Sequence, residues 1–155
     1  MLTESMEDYL EMIYRIVEDR GYIRSVDLAE ALDIQASSVT KMIQKLDRAG
    51  FVKYEKYRHI ALTRQGEKYG EFLIWRDKKL KKFLELLSIQ NNVEEQVEGI
   101  EHYITPETMC LIYSLIKFFH NNQKALQQVD RLQNTTTVPH REELDKLRAR
   151  DCGHS

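Results

Sequence analysis

Two groups of acidic residues, one of them with a histidine, have the spacing of metal ligands. Asp8 and Glu11 are three positions apart, so on a helix their carboxylates lie on one face. Glu98, Glu101 and His102 have the spacing that projects side chains together from one helix. Carboxylates with an imidazole suit a divalent metal ion. The alternative is that these five are ordinary surface residues that share helix faces.

Asp77 is a sixth candidate ligand. It lies at the edge of the apolar stripe of a predicted long helix, where an unpaired carboxylate is costly to desolvate. Either it binds metal, or it forms an ion pair with Arg76, Lys78 or Lys81.

A third group of residues suits nucleic acid. Residues 37–64 hold seven basic side chains against two acidic ones, a local balance of +5 in a chain of net charge -2. Hydroxyls near a helix start bind phosphate, and longer polar side chains reach base edges in the major groove. The alternative is a solvated polar helix face. The candidates are Ser37, Ser38, Thr40, Lys41, Gln44, Lys45 and Arg48 on a predicted helix, and Lys56, Tyr57 and Arg58 in a predicted hairpin.

Apolar periodicity predicts a mainly α fold that would position these residues. The first predicted helix runs from Ser5, as N-cap, to about Arg20, and Gly21 ends it. A short helix, a turn and a third helix at about 37–49 follow, and then a hairpin of two short strands. This order predicts a winged helix-turn-helix. Further helices are predicted at about 63–87, 93–104, 105–119 and 122–133.

We expect a winged helix-turn-helix DNA-binding domain at 1–70 and an α-helical metal-binding and dimerisation domain at 71–134. The long helix at about 63–87 would link them, and 135–155 would form a tail. The last two helices carry more apolar surface than a small helical segment covers by itself, which predicts a homodimer. The residues concerned are Leu111, Ile112, Leu115, Phe118, Phe119, Leu126, Val129 and Leu132.

Length and composition exclude several classes of protein. A chain of 155 residues has no room for a large catalytic domain. No apolar run approaches the roughly 20 residues that cross a bilayer, and the amino terminus lacks the features of a secretion signal. Cys110 and Cys152 form no C-x-x-C, and we expect Cys110 to be buried. A cytoplasmic protein without a membrane partner is expected.

Three stretches together resemble the diphtheria toxin repressor family, specifically its manganese transport regulators. They are SMEDYLEMIY at 5–14, SSVTKMIQKLDRAGFVKYEKYRHIALTRQG at 37–66 and VEGIEHYI at 97–104, and the similarity covers about 3–120. The resemblance implies a homodimer, a winged helix in each subunit and a divalent metal as co-repressor between the two segments. It also implies double-stranded operators that are inverted repeats upstream of metal-uptake genes.

Carried over by this resemblance, the manganese ligands fall on Asp8, Glu11, Glu98, Glu101 and His102. As many as two Mn²⁺ ions per subunit are implied. Asp77 stands where the manganese regulators have a histidine. Two alternatives are a metal-independent winged-helix regulator and a di-metal hydrolase, although no nucleophile accompanies the ligands.

Overall fold

The computed structural model describes residues 2–54, 59–141, 143, 144 and 146. These residues form a mainly helical fold with one small hairpin, as predicted. The elements are α1 (Glu4–Arg20), α2 (Ser25–Ala31), α3 (Ala36–Arg48), β1 (Val52–Tyr54), β2 (Ile60–Leu62), α4 (Arg64–Leu86), α5 (Val93–Ile100), a 3₁₀ turn (Glu101–Tyr103), α6 (Pro106–Asn121) and α7 (Gln123–Thr135).

The N-cap of helix α1 lies two residues before the predicted cap. Thr3, and not Ser5, is the N-cap, because its hydroxyl accepts a hydrogen bond from the Met6 N–H at 3.4 Å. At the other end Gly21 has a φ of 78° and donates its N–H to the Val17 carbonyl at 2.8 Å. This left-handed conformation favours glycine, so the predicted end of the helix is confirmed.

Helices α2 and α3 form the helix-turn-helix, and the hairpin follows α3 directly. Gly50, with a φ of 81°, turns the chain out of α3. Strands β1 and β2 pair antiparallel with Val52 opposite Leu62, and Ile23 adds an isolated bridge to Ile60. A hairpin in this position is the wing of a winged helix.

Two hydrophobic clusters divide the fold, and α4 contributes to both. The first joins α1, α2, α3 and the hairpin, and it includes Ile43 of α3 and Leu73 of α4. The second joins Leu80 of α4 to α5 and to Met109 of α6. Because one continuous helix is buried in both clusters, it connects the helix-turn-helix half to the helical half.

The predicted helix at 93–104 is shorter in the structure. Helix α5 ends at Ile100, and Glu101–Tyr103 form a 3₁₀ turn, so the Glu98, Glu101 and His102 string is not on one α-helix. Pro106, at the start of the next helix, disfavours the α region at the residue before it. Thr105 is accordingly extended, with a ψ of 159°, and caps α6 instead.

Helices α1 and α4 approach closely at a glycine. A β-carbon built on Gly70 would lie 2.6–2.7 Å from three atoms of the Tyr14 side chain, nearer than real contacts allow. The absence of a side chain at Gly70 therefore lets the two helices pack tightly. This packing brings Glu7 of α1 beside Arg76 and Arg15 of α1 beside Asp77, on the next turns of α4.

Helix α6 presents an apolar face to solvent. Cys110, predicted to be buried, is exposed on it, because the face of α6 that carries Cys110 has no partner among the described residues. Leu111 is 62% exposed, Phe118 is 51% exposed and Leu132 of α7 is 64% exposed. Large apolar side chains exposed in this way are typical of a subunit interface. Cys152 lies outside the described residues. No helix in the described part of the chain is long and apolar enough to span a membrane.

Substitution of Gly70 by alanine should destabilise the fold, although alanine is the better helix former. The added methyl group overpacks the contact with Tyr14, and overpacking of this kind costs about 1–3 kcal/mol. Gly99 in α5 has no atom within 4 Å of its built β-carbon, so Gly99→Ala is a matched control that should gain up to about 0.5–1 kcal/mol. Urea denaturation of both variants measures the difference, and a Gly70→Ala protein as stable as Gly99→Ala would contradict the close approach.

Candidate metal centre and nucleic-acid interface

His102 lies between two carboxylates of α1. Its Nδ1 is 2.9 Å from Oε2 of Glu7, and its Nε2 is 3.2 Å from Oδ1 of Asp8. The structure therefore joins the end of α5 to α1 through both nitrogens of one imidazole. Of the six predicted ligands, His102 and Asp8 are in direct contact.

A buried guanidinium lies behind this contact. Arg76 of α4 is 2% exposed, and its Nη2 donates to Oε2 of Glu7 at 3.0 Å. Its Nε is 3.7 Å from Oε2 of Glu101, and Tyr69 donates its hydroxyl to Oε1 of Glu7 at 2.8 Å. Burial alone would raise the pKa of Glu7, but the hydrogen bonds from His102, Tyr69 and Arg76 hold it below its ordinary value. Glu7 is therefore an ionised, fully bonded carboxylate.

Glu101 is in the opposite electrostatic situation. It is 7% exposed, and burial raises its pKa to about 7, with Glu11 and Asp77 adding to the effect and Arg76 and His102 opposing it. Its Oε2 is buried and has no hydrogen-bond partner among the described residues. A buried carboxylate oxygen without a hydrogen bond, whose ion pair with Arg76 is as long as 3.7 Å, is a candidate for a cation ligand.

Glu11 and Asp77 are held by two cations. Arg15 contacts Oε1 of Glu11 at 2.6 Å and Oδ2 of Asp77 at 3.7 Å. Lys81 contacts Oδ1 of Asp77 at 2.9 Å. Of the ion-pair partners predicted for Asp77, Lys81 is therefore the one in contact, and Arg15 is a second partner that the sequence did not suggest.

Asp8 and Glu98 form the open side of this cluster. Glu98 is exposed, and the Asp8 side chain is 54% exposed. Partial burial raises the pKa of Asp8, His102 opposes this, and the charges of Glu11 and Glu98 add to the rise. All six predicted ligands thus lie in one electrostatic neighbourhood.

Ion pairs, however, hold the side chains of this cluster in the structure. Among the described residues, no group of three or more His, Cys, Asp or Glu is placed to hold a metal ion. The donor set nevertheless fits a divalent cation, because it consists of hard carboxylate oxygens and one imidazole. The buried Oε2 of Glu101, which has no hydrogen-bond partner among the described residues, is the observation that agrees best with such a cation.

The predicted DNA-binding face of α3 points away from the core. Val39, Ile43 and Leu46 are fully buried on the inner side. Thr40 is half-buried, and its hydroxyl donates to the Ala36 carbonyl at 2.9 Å, so that proton is not available to phosphate. The exposed candidates are Ser37, Ser38, Lys41, Gln44, Lys45 and Arg48. Lys56, Tyr57 and Arg58 lie outside the described residues.

Hydrogen bonds fix the hairpin to α3 through Tyr54, at the loop end of β1, and to the turn after α3 through Thr63, at the base. The Tyr54 N–H donates to Oδ1 of Asp47 at 3.1 Å, and the Thr63 hydroxyl donates to the Gly50 carbonyl at 2.6 Å. Because Thr63 also caps α4, these bonds set the orientation of α3 and its hairpin relative to α4.

Comparison with known proteins now identifies the family. The family model for the iron dependent repressor N-terminal DNA binding domain matches residues 1–60, and the model for the iron dependent repressor metal binding and dimerisation domain matches residues 63–130. The HTH-type transcriptional regulator MntR of Shouchella clausii is 41% identical over 140 residues, which are 90% of this chain and 98% of that protein. The chain belongs to the iron dependent repressor family. The predicted resemblance is thereby confirmed.

Other repressor relatives agree. The MntR regulator of Geobacillus thermodenitrificans is 42% identical over 134 residues, which are 86% of this chain and 95% of that protein. T. acidophilum IdeR superimposes with a TM-score of 0.57 at 27% identity, covering 77% of this chain and 55% of the IdeR chain. The manganese regulator SloR has a TM-score of 0.58 at 23% identity, covering 90% of this chain and 58% of its own, and shows the fold alone. The repressor thus spans a little over half the length of these two solved structures.

The family establishes a metal-responsive DNA-binding transcriptional repressor that carries a dimerisation domain. Its relatives are transcriptional regulators and not enzymes, which sets the hydrolase alternative aside. A divalent metal, DNA and a second subunit are accordingly its partners.

Sequence reasoning missed Glu7 and Tyr69, and it considered Arg76 only as a partner for Asp77. Glu7 is three residues before buried Leu10, on the inner face of α1. A charged residue on an apolar helix face requires a buried partner, so its position was an available signal. The identity of that partner was not, since Arg76 is 69 positions away.

Lys41→Ala should weaken DNA binding without changing metal binding. Lys41 is exposed on α3, and loss of one phosphate contact should lower the slope of log affinity against log salt by about 0.9. Lys82→Ala, which removes an exposed lysine from α4, is the control and should leave the slope unchanged. Fluorescence anisotropy at several salt concentrations measures both, and equal slopes for the two variants would remove Lys41 from the interface.

Without metal, Glu101 should make the repressor less stable as the pH rises. In the folded protein the pKa of Glu101 is about 7, against an ordinary value of 4.5. Retention of this proton therefore contributes fully to the free energy of unfolding below about pH 4.5, and the contribution is lost as the pH rises through about 7. Glu101→Gln has no titrating group at this position. The free energy of unfolding of the variant should therefore rise relative to that of the wild type by on the order of 1–3 kcal/mol as the pH increases from about 5 to about 8. Chemical denaturation in chelator measures it, and a pH-independent difference would refute the raised pKa.

Proposed function

We propose that this repressor responds to Mn²⁺, with Asp8, Glu11, Asp77, Glu98, Glu101 and His102 as ligands for one or two ions per subunit. The observation that carries the proposal is the contact of His102 with Asp8. It joins the group of Glu98, Glu101 and His102 to α1, the helix that packs on α3. The same contact ties the proposed metal-binding and dimerisation domain, 71–134, to the proposed DNA-binding domain, 1–70.

The choice of manganese rests on the donor set. The cluster offers carboxylates and one imidazole, and Cys110 lies elsewhere, on the exposed face of α6. Hard oxygen ligands suit Mn²⁺, whereas thiolates favour softer metals. Asp77 adds another carboxylate where the related manganese regulators have a histidine, which makes the set still harder.

The ligands would act by linking α1 to the end of α5. The charge of Glu11 contributes to the raised pKa of Asp8. Arg15 pairs with both Glu11 and Asp77, Lys81 pairs with Asp77, and His102 contacts Asp8. A bound divalent cation would supply two positive charges at one point in place of these separate cations. The carboxylates of both segments would then be held together more tightly than by side-chain ion pairs alone. A coupling of about 1–3 kcal/mol changes DNA affinity about 5- to 150-fold.

The dimer determines the form of the operator. The exposed apolar side chains Leu111, Phe118 and Leu132 are the surface that a second subunit would cover. A two-fold dimer presents two copies of α3, so we expect an inverted repeat with half-sites about 34 Å apart, upstream of metal-uptake genes. The proposed location is the cytoplasm, where the DNA is, and 135–155 is proposed to be a tail.

The test is a titration of DNA selected from a random library by the Mn²⁺-loaded repressor. Affinity should rise with Mn²⁺ and fall on chelation. Glu101→Gln should abolish most of the response, because the variant loses the buried carboxylate, whereas Glu95→Gln on the exposed face of α5 should respond as the wild type does. Equal DNA affinity with and without Mn²⁺ would favour a different metal or a metal-independent regulator. A full response from Glu101→Gln would show that the site is misplaced.

A further inference from the structure

We infer that Glu7 is a positioning residue for the metal centre: its carboxylate holds the Nδ1–H of His102 and thereby leaves Nε2 as the nitrogen that binds metal. The inference rests on the proposed function. It adds a residue that the predicted ligand set does not contain.

The geometry of His102 assigns different roles to its two nitrogens. Nδ1 faces Glu7 at 2.9 Å, inside the protein, and Nε2 faces Asp8 at 3.2 Å, on the more exposed side of the cluster. A histidine that ligates a metal almost always donates its other ring N–H to a carboxylate, a backbone carbonyl or water, which fixes the ring orientation and the tautomer. Glu7 stands where such a carboxylate is required.

The Glu7 carboxylate is itself held rigidly. One oxygen accepts from the Tyr69 hydroxyl at 2.8 Å, and the other accepts from Arg76 at 3.0 Å as well as facing His102. Because both oxygens of Glu7 are engaged, whereas Oε2 of Glu101 has no hydrogen bond, Glu7 is poorly placed to serve as a ligand. It is well placed to hold the imidazole in one orientation.

Arg76 extends this positioning to Glu101. The guanidinium pairs with Glu7 through Nη2, and its Nε lies 3.7 Å from Glu101 without a hydrogen-bond partner among the described residues. On the buried side of the site, Glu7 therefore contacts the proposed ligand His102, and Arg76 lies beside the proposed ligand Glu101. In the competing explanation, Glu7 is only the counterion of Arg76 and fastens α1 to α4.

A double-mutant cycle in Mn²⁺ affinity separates the two explanations. Electron paramagnetic resonance of free Mn²⁺ would be recorded for the wild type, Glu7→Ala, His102→Ala and the double variant. Glu7→Ala should weaken affinity about 10- to 100-fold, as the loss of such a supporting contact typically does. In the His102→Ala background the same change should have almost no effect, because the residue it acts through is gone. An equal loss in both backgrounds, or no loss in either, overturns the inference.

Milder variants keep the test decisive if Glu7→Ala does not fold. Glu7→Gln retains an acceptor oxygen for the Nδ1–H and should recover much of the affinity that Glu7→Ala loses. Tyr69→Phe removes one bond from Glu7 and should lower affinity several-fold in the wild type but not with His102→Ala. Tyr14→Phe is its control, because it removes a similar bond, from Tyr14 to Glu18 at 3.0 Å, elsewhere on α1. If Tyr69→Phe behaves like Tyr14→Phe in every background, the inference fails.

The same data distinguish failure of the inference from failure of the proposed function. A wild-type chain that does not bind Mn²⁺, or an unchanged affinity in His102→Ala, contradicts the proposed ligand set and the inference with it. A wild-type chain that binds Mn²⁺ and is weakened by His102→Ala, but shows no coupling to Glu7, contradicts the positioning role alone.

Discussion

The buried guanidinium of Arg76 is the constraint on which the proposed metal centre depends. A charge 98% removed from solvent is very costly unless it is paired, and Arg76 pairs with Glu7 of α1 and lies beside Glu101 of the 3₁₀ turn. Loss of one partner from a buried pair of this kind costs about 3–5 kcal/mol. Three segments of the chain therefore have to converge on α4. Glu7, Arg76 and Glu101 each precede a proposed ligand by one residue. Their burial therefore places Asp8, Asp77 and His102 at the outer edge of the buried ion pairs.

The same helix connects the proposed metal centre to the half of the fold that contains α3. Helix α4 buries Leu73 in the first cluster and Leu80 in the second, with Arg76 between them. Gly70 lets α1 lie directly against it, and α1 packs in turn on α3 through the first cluster. Helix α3 and its hairpin pack in the same cluster as α1. We therefore expect a change in how tightly α1 is held to the 3₁₀ turn after α5 to alter the position of α3.

The sequence predicted most of the fold because its signals are local. Periodic apolar residues, Gly21 and the Thr105-Pro106 cap set the helices to within a few residues, and the helix-turn-helix with its hairpin followed from their order. The shortened α5 was missed because the apolar period of Val93, Val97, Ile100 and Ile104 continues through the 3₁₀ turn. Exposed Cys110 was missed since an apolar helix face does not reveal whether its partner is in the same chain. Glu7 and His102 could not be paired from sequence at a separation of 95 positions.

The cations around the centre differ in how easily they can be exchanged. Arg15 has a side chain 45% exposed, and Lys81 has one 32% exposed; ion pairs at such sites contribute about 0–1 kcal/mol each. Replacing them at Glu11 and Asp77 by a divalent ion therefore costs little. Arg76 is different, because its separation from Glu7 would leave two buried charges unpaired. In the proposed site, the exposed pairs would keep the carboxylates from repelling one another until a metal ion displaced Arg15 and Lys81, and the buried pair of Arg76 and Glu7 would keep the three segments in place during that exchange.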